Sequence, residues 1–156
     1  MQRIVTFVVT VLAFAVGPAS ALSPLADTSP RATLKGLLPT LPDISFRSKP
    51  TSAMVFKERK EGMDVFYLRS GAAVSIGAET TSEVEYAYSD GKLELVLMKL
   101  PAGSGAGVLS GLRSRLGVPD GSNAMGMAWW EPRGDRPYRV LVGGSEYTLV
   151  VISDKP

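Results

Sequence analysis

The sequence predicts an α+β fold, a single small domain in which one antiparallel sheet of about five to seven strands carries one helix on a face. From residue 53 onward, apolar and polar residues largely alternate, which is the pattern of half-buried strands. Turn residues separate these runs at intervals too short for parallel crossover connections, so neighbouring strands should be antiparallel. Between residues 104 and 117, leucines recur at helical spacing instead. The predicted order of elements is therefore ββ-ββ-α-βββ.

Length and composition bound both the fold and the chemistry. The chain has 156 residues, of which 45% are hydrophobic and 21% charged, values usual for one packed domain. It contains no cysteine and no histidine. These absences exclude disulfides, thiol nucleophiles, Ser-His-Asp triads and metal sites built on His or thiolate ligands. The 17 Lys and Arg residues form no basic run with interleaved aromatics, which argues against a nucleic-acid partner.

The first 21 residues have the pattern of a secretory signal peptide. Arg3 supplies the positive start, residues 4–16 are almost entirely apolar, and Ala19 and Ala21 are the small residues that a signal peptidase requires. The apolar run is shorter than the roughly 20 residues that span a bilayer, so we expect no stable membrane anchor after cleavage. Export of a chain without disulfides favours the bacterial periplasm or the medium, reached by the general secretory route.

Residues 22–52 form a proline-rich lead-in that we expect to be extended or partly disordered, with at most one helical turn near residues 33–38. Five prolines interrupt regular structure in this segment. Six large apolar residues between positions 34 and 46 are too many for a pure spacer, so some should pack along the domain. The α+β domain itself is predicted to cover residues 53–156.

The domain is predicted to open with two strands, residues 53–58 and 63–69, around a turn at 59–62. Both runs alternate apolar with polar residues. Residues 74–76 are a further short strand or the rim of a loop.

The second pair of strands is the clearest local signal. Residues 82–89 and 92–100 flank Asp90-Gly91, the preferred dipeptide for a type I′ hairpin turn. A two-residue loop gives one strand face that is wholly apolar and one that is mixed, as a sheet with one buried side requires. The apolar residues then face one another: Tyr88 with Leu93, Tyr86 with Leu95, and Val84 with Leu97.

A helix of about three turns is predicted after the second hairpin. Residues 103–107 form a flexible bridge that contains Ser104, a candidate N-cap. Gly117 ends the helix. The apolar stripe toward the sheet consists of Leu109, Leu112 and Leu116.

Three strands complete the predicted domain, at residues 125–131, 138–142 and 146–153. A type II′ turn at Gly144-Ser145 would join the last two. The predicted cross-strand pairs are Val142 with Tyr147, Val140 with Leu149, and Tyr138 with Val151.

The adjacent tryptophans supply the first candidate site. Neighbouring residues of a strand point to opposite faces, so Trp129 and Trp130 cannot both enter the same core. Trp129 shares its parity with Met125 and Met127, which predicts that Trp130 is the exposed ring, although burial of both rings is the simpler alternative. An exposed Trp anchors protein or glycan partners well. The candidate partner-binding residues are Trp130, Glu131, Arg133 and Tyr138.

Two carboxylates supply the second candidate site. Glu83 and Glu85 share a strand face, roughly 6–7 Å apart, and could act as an acid/base pair. Solvated surface charges are the competing interpretation. Asp120 and Asn123 are too few oxygen ligands for a calcium site, so we predict neither a metal nor a cofactor.

These observations favour an exported bacterial protein that acts as a non-catalytic binding module. The expected partner is an envelope or extracellular protein or glycan. The alternative is a small secreted, carboxylate-dependent hydrolase that acts on envelope glycans. No catalytic motif is present, so no residue outside the Glu83/Glu85 alternative has a predicted catalytic role.

Overall fold

The computed structural model describes residues 33–134 and 136–154, and the predicted signal peptide and residues 22–32 lie outside these ranges. Within the described residues the chain forms two helices and ten strands. The helices are α1 (Leu34–Leu37) and α2 (Gly105–Leu116). The strands are β1 (Met54–Lys60), β2 (Met63–Leu68), β3 (Val74–Ile76), β4 (Glu79–Thr81), β5 (Val84–Ser89), β6 (Lys92–Leu100), β7 (Gly121–Ser122), β8 (Ala128–Trp130), β9 (Arg139–Gly143) and β10 (Thr148–Ser153).

Eight of these strands form one antiparallel sheet in the order β1-β2-β5-β6-β10-β9-β8-β7, and β3 pairs with β4 separately. Two four-stranded meanders therefore meet where β6 pairs with β10. The α+β class, with a mostly antiparallel sheet and one main helix, is confirmed. The predicted count of about five to seven strands is wrong, because strands as short as β4 and β7, with three and two residues, carry no readable alternation. The predicted order ββ-ββ-α-βββ is wrong for the same reason, since six strands precede the main helix and four follow it in the described residues.

One face of the sheet, the covered face, packs against α1, the β3–β4 hairpin and α2. Each layer contributes fully buried side chains to the core, among them Tyr86, Val96 and Val140 of the sheet, Ile76 of the hairpin and Leu112 of α2. A large apolar side chain that is fully buried contributes roughly 1.5–3 kcal/mol. The covered face therefore contains most of the stabilising burial in the described residues.

Residues 33–46 pack into this same core. Helix α1 lies where one helical turn was expected. The backbone N–H of Arg47 donates to the carbonyl of Leu93 at 2.8 Å, and Arg115 of α2 donates to the carbonyl of Leu37 at 3.0 Å. All six large apolar residues of the segment are buried: Leu34, Leu37, Leu38, Leu41, Ile44 and Phe46.

The β5–β6 hairpin begins as the sequence predicts. Asp90 and Gly91 both have positive φ, 50° and 71°, as the central positions of a type I′ turn require. Tyr88 pairs with Leu93, which confirms the first predicted cross-strand pair.

Beyond that pair the predicted register is wrong by one residue. A β-bulge shifts the strands, so that Tyr86 pairs with Val96 and Val84 pairs with Met98. Because side chains alternate between faces, the shift sends Val96 and Met98 into the core and places Leu95 and Leu97 on the other face. The apolar residues of β6 are thereby divided between both faces of the sheet.

Helix α2 lies between the predicted limits. Ser104 occupies the N-cap position without a side-chain capping bond, and Gly117 ends the helix with a φ of 80°. The expected flexible bridge at residues 103–107 is too long by three residues, since α2 begins at Gly105. A Cβ at Gly111 would lie only 2.6 Å from the backbone nitrogen of Gly77, so glycine at 111 permits close contact between α2 and the β3–β4 hairpin.

The C-terminal hairpin differs from its prediction. Val142 pairs with Val150, and Val140 pairs with Ile152, because residues 144–147 form the loop. The predicted two-residue turn at Gly144-Ser145 and its three cross-strand pairs are therefore wrong. Gly144 has a φ of 130°, and any Cβ there would overlap the carbonyl oxygen of Tyr147. Glycine at 144 thus permits a longer loop.

Candidate functional site: a groove on the open face of the sheet

The face of the sheet opposite α1, α2 and the β3–β4 hairpin, called the open face, carries its own small apolar cluster. Three of its members are buried and three are half-buried. We call this cluster the apolar band: Met63, Ala87, Leu95, Leu97, Leu141 and Val151. The bulge in the β5–β6 hairpin creates much of it, because the bulge directs Leu95 and Leu97 away from the main core.

A groove of about 840 Å³ lies over one end of the apolar band. Apolar side chains from β2, β5 and β6 line it, including Met63, Val65, Leu95 and Leu97. Charged side chains of β1, β5 and β6, and of the residues directly after β1 and before β5, stand among its lining residues: Lys57, Glu58, Lys60, Glu61, Glu83, Glu85 and Lys99. The volume is in the range of sites that bind small molecules or peptide side chains. An apolar floor with a charged rim is also the usual composition of a recognition site.

Ion pairs organise the rim of the groove. Lys57 Nζ donates to Glu85 Oε1. Lys99 Nζ lies 3.5 Å from Glu83 Oε2 and 3.7 Å from the centre of the Tyr147 ring. The ring adds a cation–π attraction to the ion pair. Lys99 is therefore held in place, with only 24% of its side chain exposed.

The surroundings of Lys57 are acidic. Its hydrogen bond to Glu85 raises the pKa of Lys57, against the opposing effect of partial burial. The charges of Glu58 and Glu83 raise this pKa further. Lys57 therefore remains protonated at neutral pH within a group of three carboxylates.

Glu83 and Glu85, the predicted acid/base alternative, both line the groove. Each carboxylate has a lysine partner of its own, Lys99 for Glu83 and Lys57 for Glu85. In a general acid/base couple, the two environments differ so that one carboxyl group holds a proton and the other does not. Glu83 and Glu85 have similar environments instead, each in an ion pair at the rim, which is the arrangement expected of charges on a solvated surface. The carboxylate-dependent hydrolase stays a prediction, and no contact among the described residues favours it.

The expectation that Trp130 is the exposed tryptophan is wrong. Trp130 is fully buried on the covered face, pairs with Val140, and donates its indole N–H to the carbonyl of Gly117 at 3.0 Å. Trp129 is the half-buried ring on the open face, packed over Gly121. The parity argument fails because strand β8 begins only at Ala128, so residues before it do not alternate.

Asn123 holds together the residues just before β8. Its side-chain oxygen accepts hydrogen bonds from the backbone N–H groups of Met125 and Met127 at 3.0 and 3.1 Å. These bonds close a compact loop, which is a common role of Asn. Met125 is 79% exposed in this loop instead of lying on a buried strand face.

The remaining candidate residues near Trp130 are occupied by internal contacts. Tyr138 is buried, with its ring centre 6.1 Å from that of Phe46, so the expected accessible ring is absent there too. Glu131 accepts two hydrogen bonds from Arg139 at 2.7 and 2.9 Å. Arg133 pairs with Asp120. A partner-binding role for Glu131 and Arg133 stays a prediction, but Trp130 and Tyr138 lack the exposure that such a role requires.

Asp120 connects the loop after α2 to the segment after β8. It accepts a hydrogen bond from the backbone N–H of Glu131 at 2.8 Å and pairs with Arg133. The Glu131 hydrogen bond, followed by the contact with Arg133, holds the pKa of Asp120 below its ordinary value. Asp120 therefore stabilises this connection as a carboxylate, and that contribution is lost only as the pH falls through its lowered pKa.

Among the described residues, no three acidic side chains come together as metal ligands. Neither α1 nor α2 is long and apolar enough to cross a membrane. No known protein family, curated protein or solved structure matches the chain. A functional inference therefore depends on the groove, its rim and the apolar band.

Proposed function

We propose that this chain is an exported, non-catalytic binding module of a bacterial envelope or its surroundings, and that the groove on the open face is its ligand site. The proposal that the groove is the ligand site rests on one observation. The described chain covers one face of the sheet and leaves an organised apolar band on the other. A solvated sheet face would normally be polar. Contiguous apolar surface bounded by charges is characteristic of an interaction site.

Export rests on the amino-terminal pattern alone. Arg3, the apolar run at residues 4–16, and the small residues Ala19 and Ala21 together support it. The absence of cysteine is compatible with a bacterial envelope, where many proteins fold without disulfides.

Binding at the groove can be tested with ¹⁵N-labelled protein and a neutral twelve-residue peptide in which leucine alternates with serine. We expect the peptide to shift amide signals of β2, β5 and β6 that line the groove. The substitution Leu97→Ser should abolish these shifts, because it places a hydroxyl in the apolar floor. Val118→Ser is the matched control, since Val118 is 84% exposed and lies outside the groove.

If Leu97→Ser unfolds the protein, Tyr67→Ser replaces it as the test variant. Tyr67 also lines the groove but is 43% exposed, so its loss costs little stability. Shifts that are spread over the covered face, or that survive both groove substitutions in folded protein, would refute the groove as the ligand site.

A further inference from the structure

The apolar surface extends beyond the groove along a single row of the sheet. Leu97 pairs with Val151, Val151 with Leu141, and Leu141 with Trp129. Directly opposite residues on adjacent strands share a face. At about 4.8 Å per strand, the row extends roughly 14 Å from Leu97 to Trp129. Val151 is buried within this row, whereas Leu97, Leu141 and Trp129 are half-buried. A compact small molecule in the groove would leave Leu141 and Trp129 partly exposed, whereas an elongated partner would cover them.

The charges at the rim have an acidic excess. Three lysines and four glutamates line the groove. Lys57 and Lys99 are engaged by Glu85 and Glu83, whereas no ion pair among the described residues engages Glu58, Glu61 or Lys60, so two unpaired glutamates stand against one unpaired lysine. Glu58 and Glu61 are both exposed, and the side chain of Glu83 remains 68% exposed despite its lysine. The rim therefore offers accessible carboxylates to an incoming cationic group.

We propose that the open face docks an extended peptide segment of a partner protein in which apolar residues alternate with lysine or arginine. Its apolar side chains would face the groove and the row toward Trp129, and its basic side chains, which start on the opposite side of the segment, would bend over the rim to reach Glu58, Glu61 and Glu83. This inference rests on the proposed function, because it names the partner class of the same groove. A second copy of this chain fits less well, since it would bring the same acidic excess to the contact, and an anionic lipid surface would be repelled.

The test compares two synthetic twelve-residue peptides that differ only in charge. In both, leucine occupies alternate positions, and the intervening positions are serine and lysine in one peptide and serine and glutamate in the other. We expect the lysine peptide to bind roughly fivefold more tightly at low ionic strength, because a few exposed ion pairs each contribute modestly. High salt should bring the two dissociation constants together.

The double variant Glu58→Gln/Glu83→Gln should remove most of this preference and retain binding of the neutral leucine–serine peptide. Asp43→Asn, which removes an exposed carboxylate outside the groove, is the control and should leave the preference unchanged. Fluorescence anisotropy of labelled peptides gives the dissociation constants.

The possible outcomes separate this inference from the proposed function. Binding of the neutral peptide at the groove without a preference for lysine would overturn the basic partner and leave the groove as a ligand site. No groove shift with any of the three peptides would overturn both. A dimer in sedimentation equilibrium that Leu97→Ser dissociates would identify a second copy as the occupant. Binding of phosphatidylglycerol vesicles through the same residues would identify a membrane, and either result would overturn a peptide partner.

Discussion

The covered and open faces of the sheet are built from alternate residues of the same strands, yet they are completed differently. On the covered face, α1, α2 and the β3–β4 hairpin close over the sheet, and side chains such as Tyr86, Val96 and Trp130 are fully buried. On the open face, the apolar band is covered only in part, by its own neighbours and a charged rim. Alternation by itself therefore does not make one face a core, because closure by other elements determines which apolar face is sealed.

Substitution of the adjacent tryptophans should give the largest difference in stability between the two faces. We expect Trp130→Ala to lower the free energy of unfolding by about 3–5 kcal/mol, because it leaves a cavity in the covered core and removes a hydrogen bond to Gly117. Trp129→Ala should lower it by only about 1 kcal/mol, because that ring is half-buried on the open face. Urea denaturation measures both values, and equal losses would contradict the difference between the two faces.

Two glycines of α2 test how closely the covered face is packed. Gly111→Ala should destabilise by about 1–2 kcal/mol, because its Cβ meets the rigid backbone of Gly77 at 2.6 Å. Gly107→Ala should be neutral or stabilising by up to about 1 kcal/mol, because its Cβ meets the movable side chain of Glu79 and alanine favours a helix. Thermal denaturation compares the two variants. Similar stabilisation by both would indicate that helix propensity and not backbone contact controls these positions, and similar destabilisation would indicate that Glu79 does not move aside.

Substitution of the buried tyrosines should change stability least at neutral pH, but it should clearly change how stability depends on alkaline pH. Burial raises the pKa of Tyr88 to about 12 and raises that of Tyr86 as well. The same tyrosines ionise near pH 10 in the unfolded chain, so their contribution to stability should be constant below that pH and fall as the pH rises from about 10 to 12.

Phenylalanine variants of one tyrosine on each face test whether burial causes this alkaline loss of stability. Tyr86→Phe should be neutral or stabilising by up to about 1 kcal/mol at pH 7, because the Tyr86 hydroxyl is buried without a hydrogen-bond partner among the described residues. It should also make the alkaline loss shallower. Tyr67→Phe, on the open face, should leave the alkaline loss unchanged, since Tyr67 is 43% exposed. A shallower loss in both variants would contradict burial as the cause.

Local signals in the sequence predicted part of the fold. Asp90-Gly91 defined the hairpin turn, and Ser104 and Gly117 bounded α2, because these features depend on the φ angles and hydrogen bonds of a few neighbouring residues. The same reasoning failed at the β5–β6 bulge and in the loop at residues 144–147. A single extra residue inverts every side chain beyond it, and the alternation of the sequence does not record where that residue lies.

The candidate site was predicted only in fragments. Glu83 and Glu85 were identified as neighbours on one strand face, and both line the groove. The apolar floor was missed, because Leu95 and Leu97 were assigned to the core. The signal for it was present in β6, where six of nine residues are apolar, too many for a strand with a single apolar face.

Short segments of the sequence were enough to predict the antiparallel α+β class, the position of the main helix and the hairpin turn at Asp90-Gly91, since each follows from periodicity and turn chemistry. Long-range contacts were needed to bury Trp130 and leave Trp129 half-exposed, to pack residues 33–46 into the core, and to place Leu97 in a groove. Those outcomes depend on strand register and on which elements close over which face. Both are set by contacts between residues far apart in the chain, where burial of apolar area outweighs local preference.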